Sequence, residues 1–320
     1  MKCFLGVDVG SVSTNVIVLD EALNVIETLY LRTQGNPINA ITRGLKHIEE
    51  KLPSNTEILG VGATGSGRTL AGVIIGADII KNEITAHAVA ASKEVPGAQT
   101  VIEIGGQDSK IIILKNGIVV DFAMNTVCAA GTGSFLDQQA SRLGIPIENF
   151  GEMALKSTVP VRIAGRCTVF AESDMIHKQQ MGHKKEDIIK GLCDALVRNY
   201  LNNVGKGKDI QPMVIFQGGV AANKGIHKAF EEQLGKEIVI PTNFSVMGAI
   251  GAALLAKQHI KVNNTPSKFK GFHVSELEYK ASSFECSECS NLCEVINIKN
   301  NEQIIARWGS RCGKWEAMVI

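Results

Sequence analysis

Short apolar runs separated by tight turns open the chain and predict strands. The first three lie at residues 4–10, 13–19 and 24–31. Closely spaced strands of this kind are typical of an antiparallel meander. The elements predicted next are a helix over 37–51, a short strand over 58–62 and an alanine-rich helix over 83–95.

The same pattern returns about a hundred residues further along the chain. Residues 100–104 form a predicted strand that ends in two glycines and an aspartate, and strands follow at 110–114 and 118–122. A segment that occurs twice in a sequence is expected to form the same structure twice. We therefore predict an α/β fold with two similar lobes and a cleft between them.

Helical patterns dominate the rest of the second lobe, and the composition changes near residue 259. The predicted elements are helices at 132–143, 147–155, 172–180, 185–201, 223–234 and 246–257, with strands at 213–217 and 238–240. We predict four regions: a first lobe over 1–95, a second lobe over 96–258, a linker over 259–282 and a cysteine-rich module over 283–320.

Composition and charge narrow the function classes. Hydrophobic residues make up 45% and charged residues 20% of the chain, as in globular proteins with a core, and the formal net charge is +1. This balance predicts no nucleic-acid or anionic-membrane partner. No signal peptide is recognised at the N-terminus, and the most apolar run, residues 246–256, is shorter than the roughly 20 residues that cross a bilayer. We expect a cytoplasmic protein whose eight cysteines are thiols or metal ligands.

Three glycine-containing turns are candidate phosphate sites. The first follows the opening strand and offers a carboxylate, a glycine and hydroxyls, from Asp8, Gly10, Ser11, Ser13 and Thr14. Exposed backbone N–H groups and hydroxyls can cradle phosphate oxygens, and Asp8 is a candidate ligand for Mg²⁺. A plain hairpin turn would give the same sequence.

The second and third turns strengthen the phosphate-binding hypothesis. The second consists of Gly105, Gly106, Gln107 and Asp108, and the third of Gly218, Gly219, Ala221 and Asn223. In this order the three turns resemble the phosphate-1, phosphate-2 and adenosine motifs of the actin, heat-shock chaperone and sugar-kinase superfamily. The resemblance implies an actin/hexokinase-like ATPase with duplicated RNase H-like lobes that binds ATP or ADP with Mg²⁺. Gln107 and Asp108 are both candidates for orienting the attacking water.

Two cysteines of the predicted second lobe each precede a predicted helix. Cys128 stands in Asn-Thr-Val-Cys-Ala-Ala-Gly-Thr-Gly-Ser-Phe, and Cys167 in Gly-Arg-Cys-Thr-Val-Phe-Ala-Glu-Ser-Asp. The positive partial charge of a helix N-terminus favours an anionic cluster. The alternative is a pair of buried structural cysteines, which is how Cys3 and Cys193 are interpreted.

The chain from residue 3 to about 258 resembles the ATP-dependent activators of 2-hydroxyacyl-CoA dehydratases, which are related to the ATPase subunits of benzoyl-CoA reductase. The matching stretches are residues 6–14, 82–88, 105–110, 128–135, 165–174 and 218–223. The resemblance implies that Cys128 and Cys167 bind one 4Fe–4S cluster that bridges a homodimer. It also implies that ATP hydrolysis drives an electron from a ferredoxin or flavodoxin into an iron–sulfur dehydratase or a protein with a double-cubane cluster.

The C-terminal region departs from the short activators. Its cysteines, Cys286, Cys289, Cys293 and Cys312, form a CxxCxxxC run with one distant partner. Four thiolates can bind Zn²⁺ or an iron–sulfur cluster, and the spacing does not decide between them. We predict a second metal centre here.

Two other functions are compatible with the sequence. A small-molecule kinase of the same superfamily would need a substrate segment with a catalytic base, and no convincing one is found. A nucleotide-dependent sensor or scaffold would use the C-terminal module as a zinc-held docking surface. Iron content and ATP turnover distinguish both from an electron-transferring ATPase.

Overall fold

The computed structural model describes residues 1–318, and its contacts divide the chain into two compact units. Unit 1 contains Met1–Glu83 and the chain from Gly248 onward, and unit 2 contains the residues between them, from Ile84 to Met247. The helix Met247–Asn263 therefore belongs, from Gly248 onward, to the same unit as the N-terminal strands.

The described chain contains fourteen strands and nine α-helices. The strands are β1 (Lys2–Val9), β2 (Ser13–Asp20), β3 (Val25–Arg32), β4 (Glu57–Thr64), β5 (Ile79–Ile80), β6 (Thr100–Ile104), β7 (Ser109–Lys115), β8 (Ile118–Asn125), β9 (Val214–Gln217), β10 (Ile238–Val239), β11 (Tyr279–Glu285), β12 (Glu294–Asn300), β13 (Gln303–Trp308) and β14 (Ala317–Met318). The helices are α1 (Pro37–Lys51), α2 (Arg68–Ile75), α3 (Glu83–Glu94), α4 (Gly133–Leu143), α5 (Ile147–Ala154), α6 (Thr168–Gln180), α7 (Lys185–Asn203), α8 (Lys224–Leu234) and α9 (Met247–Asn263).

The two units contain sheets of the same topology, which confirms the predicted duplication. The strand order is β3-β2-β1-β4-β5 in unit 1 and β10-β9-β6-β7-β8 in unit 2. In each sheet a three-stranded antiparallel meander continues into two parallel strands. The α/β fold class with two similar lobes is therefore confirmed.

Helix α9 packs against the unit 1 sheet through two glycines. A Cβ atom on Gly6 would lie 1.9 Å from the Ala249 carbonyl oxygen, and one on Gly62 would lie 2.0 Å from that of Ala252. Only glycine allows so close an approach of strand and helix backbones. Gly6 thus has a packing role in addition to leading into the first candidate phosphate turn.

Three sequence predictions need correction. Helix α2 was not predicted, and α6 begins at Thr168, four residues before the predicted start. Helix α9 runs to Asn263 and so enters the predicted linker. The rest of the segment belongs to unit 1, where Phe269 and Phe272 pack against the core. These apolar side chains explain why the segment is anchored.

The C-terminal region forms an antiparallel sheet of order β11-β12-β13-β14. Its strands have buried apolar residues, Val295, Ile298 and Ala306, which the sequence analysis did not interpret as a strand pattern. Within residues 1–318, every helix is too short or too polar to traverse a lipid bilayer.

Candidate functional site

The first predicted phosphate turn is a tight hairpin between β1 and β2. The Gly10 N–H donates to the Ser13 carbonyl across 2.8 Å. Thr33 donates its hydroxyl to the Gly10 carbonyl at 2.9 Å, so the hydroxyl of Thr14, 3.0 Å away, must donate to Thr33. The buried Thr14 hydroxyl therefore stabilises the turn, while Ser11 is exposed and Ser13 half-buried.

Asp8 lies in register with two polar residues on the neighbouring strands. It pairs with Asn15 on β2 and with Thr64 on β4, so the three side chains share one face of the sheet. Asn15 Oδ1 and Thr64 Oγ1 are buried and have no hydrogen-bond partner within residues 1–318. Oxygen atoms with this arrangement fit hydrated Mg²⁺, which favours few carboxylates and several waters. The sequence analysis missed Asn15 and Thr64.

A second glycine loop, also missed, packs on the carboxylate. Gly65 follows β4 with φ +90°, and a Cβ there would lie 2.4 Å from Asp8 Oδ1. The Gly67 N–H donates to the Val9 carbonyl at 2.8 Å, and Arg68 then begins α2. The Gly-Ser-Gly sequence after a predicted strand was the available signal.

The equivalent position in unit 2 has a different chemistry. Glu103 is the penultimate residue of β6, as Asp8 is of β1, and its register partners are Lys110 and Gln217. Lys110 Nζ lies 2.9 Å from both Glu103 Oε2 and Asp108 Oδ1. Burial raises the pKa of Glu103, and the Lys110 charge opposes that rise. Glu103 therefore has a cationic partner within its own unit, whereas the register partners of Asp8 present neutral oxygen atoms.

We expect the Lys110→Met substitution to lower the free energy of unfolding by about 3–5 kcal/mol at neutral pH, because it leaves a buried carboxylate unpaired. The raised pKa of Glu103 means that protonation relieves this cost, so the deficit should shrink as the pH falls through that pKa. Urea unfolding at neutral and mildly acidic pH measures both effects. A double variant that adds Glu103→Gln should regain most of the stability, and a deficit independent of pH would contradict this account.

The second predicted phosphate turn is bonded to the start of α4. The Gly105 N–H donates to the Asp108 carbonyl at 3.0 Å, which closes the turn. Gly133 N–H donates to the Gly105 carbonyl at 2.9 Å, and Ser134 donates to the Gly106 carbonyl from its N–H at 2.8 Å and from Oγ at 2.5 Å. The turn and the N-terminus of α4 therefore form one hydrogen-bonded unit. Ser134 had no assigned role in the sequence analysis.

The next residues belong to the second and third predicted phosphate turns. Gln107 is exposed, whereas Asp108 is half-buried and paired with Lys110. Gly218, at the end of β9, has φ +88°, and a Cβ there would lie 2.4 Å from the Ile104 carbonyl oxygen. The second and third turns are thus brought together.

The last predicted residues of the third turn are largely buried. Gly219 begins a short 3₁₀ helix that contains Ala221. Buried Asn223 caps α8, where its Oδ1 accepts from the Ile226 N–H at 3.0 Å. The structure therefore gives Asn223 a helix-capping role.

The two cysteine segments lie side by side in unit 2. Cys128 precedes the 3₁₀ helix Ala129–Gly131, and Cys167 is the residue before α6. Cys128 Sγ lies 3.8 Å from the Arg166 carbonyl oxygen and 3.7 Å from Asn199 Nδ2. Both thiols are partly exposed, whereas Cys3 and Cys193 are buried. The interpretation of Cys3 and Cys193 as buried structural cysteines thus agrees with their burial.

Exposed apolar side chains lie close to both cysteines in sequence. Val127 is 95% exposed, and Val169 and Phe170 are each 67% exposed. Two accessible thiols at helix starts fit two ligands of a 4Fe–4S cluster, which takes four. One chain could therefore offer at most half of such a ligand set, and exposed apolar side chains are suited to contact with a second protein surface.

The C-terminal cysteines are not gathered into a metal site. Cys286 is buried and accepts a hydrogen bond from Trp315 Nε1 at 3.2 Å, whereas Cys289 and Cys312 are exposed. Among residues 1–318, no three cysteine, histidine or acidic side chains are close enough together to hold a metal ion. The second metal centre, which includes Cys293, stays a prediction.

Comparison with known proteins places the ATPase region in a family. The model of the BadF/BadG/BcrA/BcrD ATPase family matches residues 5–256. The (R)-2-hydroxyglutaryl-CoA dehydratase activating ATPase of Acidaminococcus fermentans is 39% identical over 259 residues, which cover 79% of this chain and 96% of the relative. The 2-hydroxyisocaproyl-CoA dehydratase activator of Clostridioides difficile is 34% identical over 265 residues, which cover 80% and 96%.

A solved structure supports the same grouping. The activator of the 2-hydroxyisocaproyl-CoA dehydratase from Clostridium difficile, with bound ADPNP, superimposes with a TM-score of 0.76 at 32% identity. The match covers 82% of this chain and 97% of that one. The C-terminal sheet lies beyond the family match, as the sequence analysis expected for a departure from short activators.

Proposed function

The chain belongs to the BadF/BadG/BcrA/BcrD ATPase family, and from this premise we propose that it hydrolyses ATP to drive single low-potential electrons into a partner iron–sulfur enzyme. The proposed partner is a 2-hydroxyacyl-CoA dehydratase or a related protein with a double-cubane cluster. The relatives' names as dehydratase activators support the first class. A ferredoxin or flavodoxin is the proposed electron donor.

The contact between Gly106 and Ser134 is the observation that carries this proposal. It joins a candidate phosphate turn to Ser134 at the N-terminus of α4, only six residues after Cys128. A nucleotide that binds two states of the turn with different affinities biases the position of α4, and hence of Cys128. Hydrolysis at the turn can thereby alter the environment of an electron carrier held by the cysteine.

We assign the nucleotide chemistry to the turns. Asp8 would hold Mg²⁺, with Asn15 Oδ1 and Thr64 Oγ1 accepting hydrogen bonds from its waters. The backbone of Gly105 and Gly106 would contact phosphate oxygens. We assign the orientation of the attacking water to Asp108, because its ion pair with Lys110 holds the side chain in place at the turn; Gln107 is the alternative.

We assign the electron carrier to a cluster shared by two chains. When bound, a 4Fe–4S cluster supplies the one-electron chemistry. Cys128 and Cys167 of each chain would provide two thiolates, so that a homodimer provides four, and two-fold symmetry is the commonest in oligomers. Val127 and Phe170 would become buried against the second copy and exclude water from the thiolates.

Ser134→Ala tests whether the turn and the cysteine are coupled. We expect MgATP to bind the variant and the iron content to remain unchanged, while electrons transferred per ATP hydrolysed fall several-fold, because the side-chain link to Gly106 is lost. The loss of one hydrogen bond should cost about 1 kcal/mol of stability. Ser141→Ala, on an exposed position of the same helix, is the matched control. Equal coupling in the two variants would rule out this role of Ser134.

A direct test of the function uses anaerobic protein reduced with dithionite and then freed of the reductant. It is mixed with a purified 2-hydroxyacyl-CoA dehydratase component in the presence of MgATP or MgADP, and its oxidation is followed by absorbance. We expect oxidation with MgATP only, accompanied by phosphate release. Phosphorylation of an added sugar or acid by an iron-free protein would instead establish the kinase alternative.

A further inference from the structure

A cavity of about 760 Å³ opens in unit 2 beside the loop that leads to Cys167. One wall is the segment 162–166, and the other is the C-terminal end of α7 with the turn after it. The volume is within the range of about 300–1,000 Å³ found for small-molecule pockets. No residue assigned to nucleotide binding lines the cavity, so it is a separate feature.

Four cationic side chains line this cavity, and no carboxylate does. They belong to Arg162, Arg166, Arg198 and Lys206. No carboxylate of residues 1–318 forms an ion pair with any of the four. Asp194, one turn before Arg198 on α7, pairs instead with Lys190 at 2.6 Å. The lining of the cavity is therefore cationic, and none of its four cations is neutralised by an ion pair within the described residues.

Hydrogen bonds join the two walls. An Arg198 guanidinium nitrogen donates to the Ile163 carbonyl at 2.6 Å, and Asn199 Nδ2 donates to the Gly165 carbonyl at 2.6 Å. Burial, and then repulsion by Arg162, lowers the pKa of Arg198, whereas Asp194 raises it. The like charges are thus held near one another by the fold. A preorganised arrangement of this kind reduces the cost of binding a ligand.

The partial negative charge at the C-terminus of α7 accounts for only two of the four cations in the cavity. Cations near the C-terminus of α7 interact favourably with its free carbonyl groups, which accounts for Lys206 and Arg198. Arg162 and Arg166 lie on the opposite wall, away from that helix end in sequence. Guanidinium groups match carboxylate and phosphate oxygens through paired hydrogen bonds. Cations converging from two walls indicate a shared external counter-ion.

We propose that this cavity binds a small anion with two or more negative charges, carried by carboxylate or phosphate groups. The site goes beyond the ATPase and electron-transfer function, and it does not require either. Ion pairs from both walls would position the anion next to the segment that carries Cys167.

The test is calorimetric titration of the full-length, anaerobically purified protein with propane-1,2,3-tricarboxylate, with and without saturating MgADP. We expect one site per chain in both cases, with an affinity that falls as salt is added. Arg162→Gln and Lys206→Gln should each weaken binding by about tenfold. Both side chains are exposed, so the fold should tolerate these changes, whereas Arg166 is avoided because its carbonyl contacts Cys128.

Arg142→Gln is the matched control, since Arg142 pairs with Glu172 at 2.7 Å and does not line the cavity. The control should bind the tricarboxylate as the wild type does. Absence of binding, or equal affinities in the Arg162, Lys206 and Arg142 variants, would overturn the proposal. Failure of MgADP to bind would count against the proposed ATPase function alone, because the titration without nucleotide still reports on the cavity.

Discussion

Replacing Cys128 by serine should remove the iron bound at the proposed dimer-bridging site while MgATP binding is retained. In the proposed cluster site Cys128 would supply one of two thiolates per chain, so the variant would leave a dimer with only two of the four ligands that a 4Fe–4S cluster needs. We expect the iron content of the ATPase region to fall from about two atoms per chain to near zero. Colorimetric iron and sulfide determination and the absorbance spectrum measure this loss directly.

The matched control is Cys193→Ala. Cys193 is fully buried within α7, and burial raises the pKa of its thiol far above the usual value, as expected for an inert structural cysteine. This control should retain iron and sulfide. If the serine variant at position 128 kept the wild-type spectrum, the ligand assignment would be wrong.

Asp8→Asn lowers the rate of ATP hydrolysis by at least about 100-fold, because a neutral amide cannot balance the charge of Mg²⁺ as a carboxylate does. The loss should appear in kcat, and iron content should stay at the wild-type level, since Asp8 and the cysteines belong to different units. Phosphate release at saturating MgATP is the measurement.

Asp20→Asn provides the control at the opposite end of the same hairpin, where Asp20 pairs with Cys3. Its side chain binds Asn24 at the β2–β3 turn, far along the strands from the glycine turn. We expect near wild-type hydrolysis. Equal rates for the Asp8 and Asp20 variants would exclude Asp8 as the metal ligand and direct attention to Asp108.

The repeated strand pattern was sufficient to predict the fold class. Strand–glycine–strand runs at residues 4–19 and 100–114 become the paired meanders of two equivalent sheets. The pattern succeeded because side-chain alternation and tight turns are local properties. Helix α2 was missed because its eight residues directly follow a glycine loop, which indicates a turn more strongly than a helix.

Of the candidate nucleotide site, the sequence predicted the three glycine-containing turns but not the side chains that neighbouring strands bring to them. Asn15 and Thr64 join Asp8 through the register of three strands, and register is not visible in local sequence. For the same reason, the sequence did not reveal that Glu103 occupies the position equivalent to Asp8. Lys110, the register partner of Glu103, changes the chemistry of that position. Strand register therefore decides which side chains surround each carboxylate.

The C-terminal region shows a second limit. Cysteine spacing predicted a metal site, yet spacing does not determine whether the sulfur atoms converge. The structure instead places Cys286 beneath Trp315 in a module whose sheet has its own buried residues, such as Val295 and Ile298. Metal analysis of a variant with Cys289 and Cys312 replaced by serine, compared with the wild type, separates this prediction from the cluster at Cys128.

Native mass spectrometry of the anaerobically purified protein tests the central claim most directly. The claim is that two chains share one electron-carrying cluster under the control of ATP. We expect a dimer whose excess mass includes one four-iron, four-sulfide cluster, and loss of that mass in the Cys128→Ser variant. A monomer that keeps a complete cluster, or a protein without iron after anaerobic reconstitution, would contradict the account.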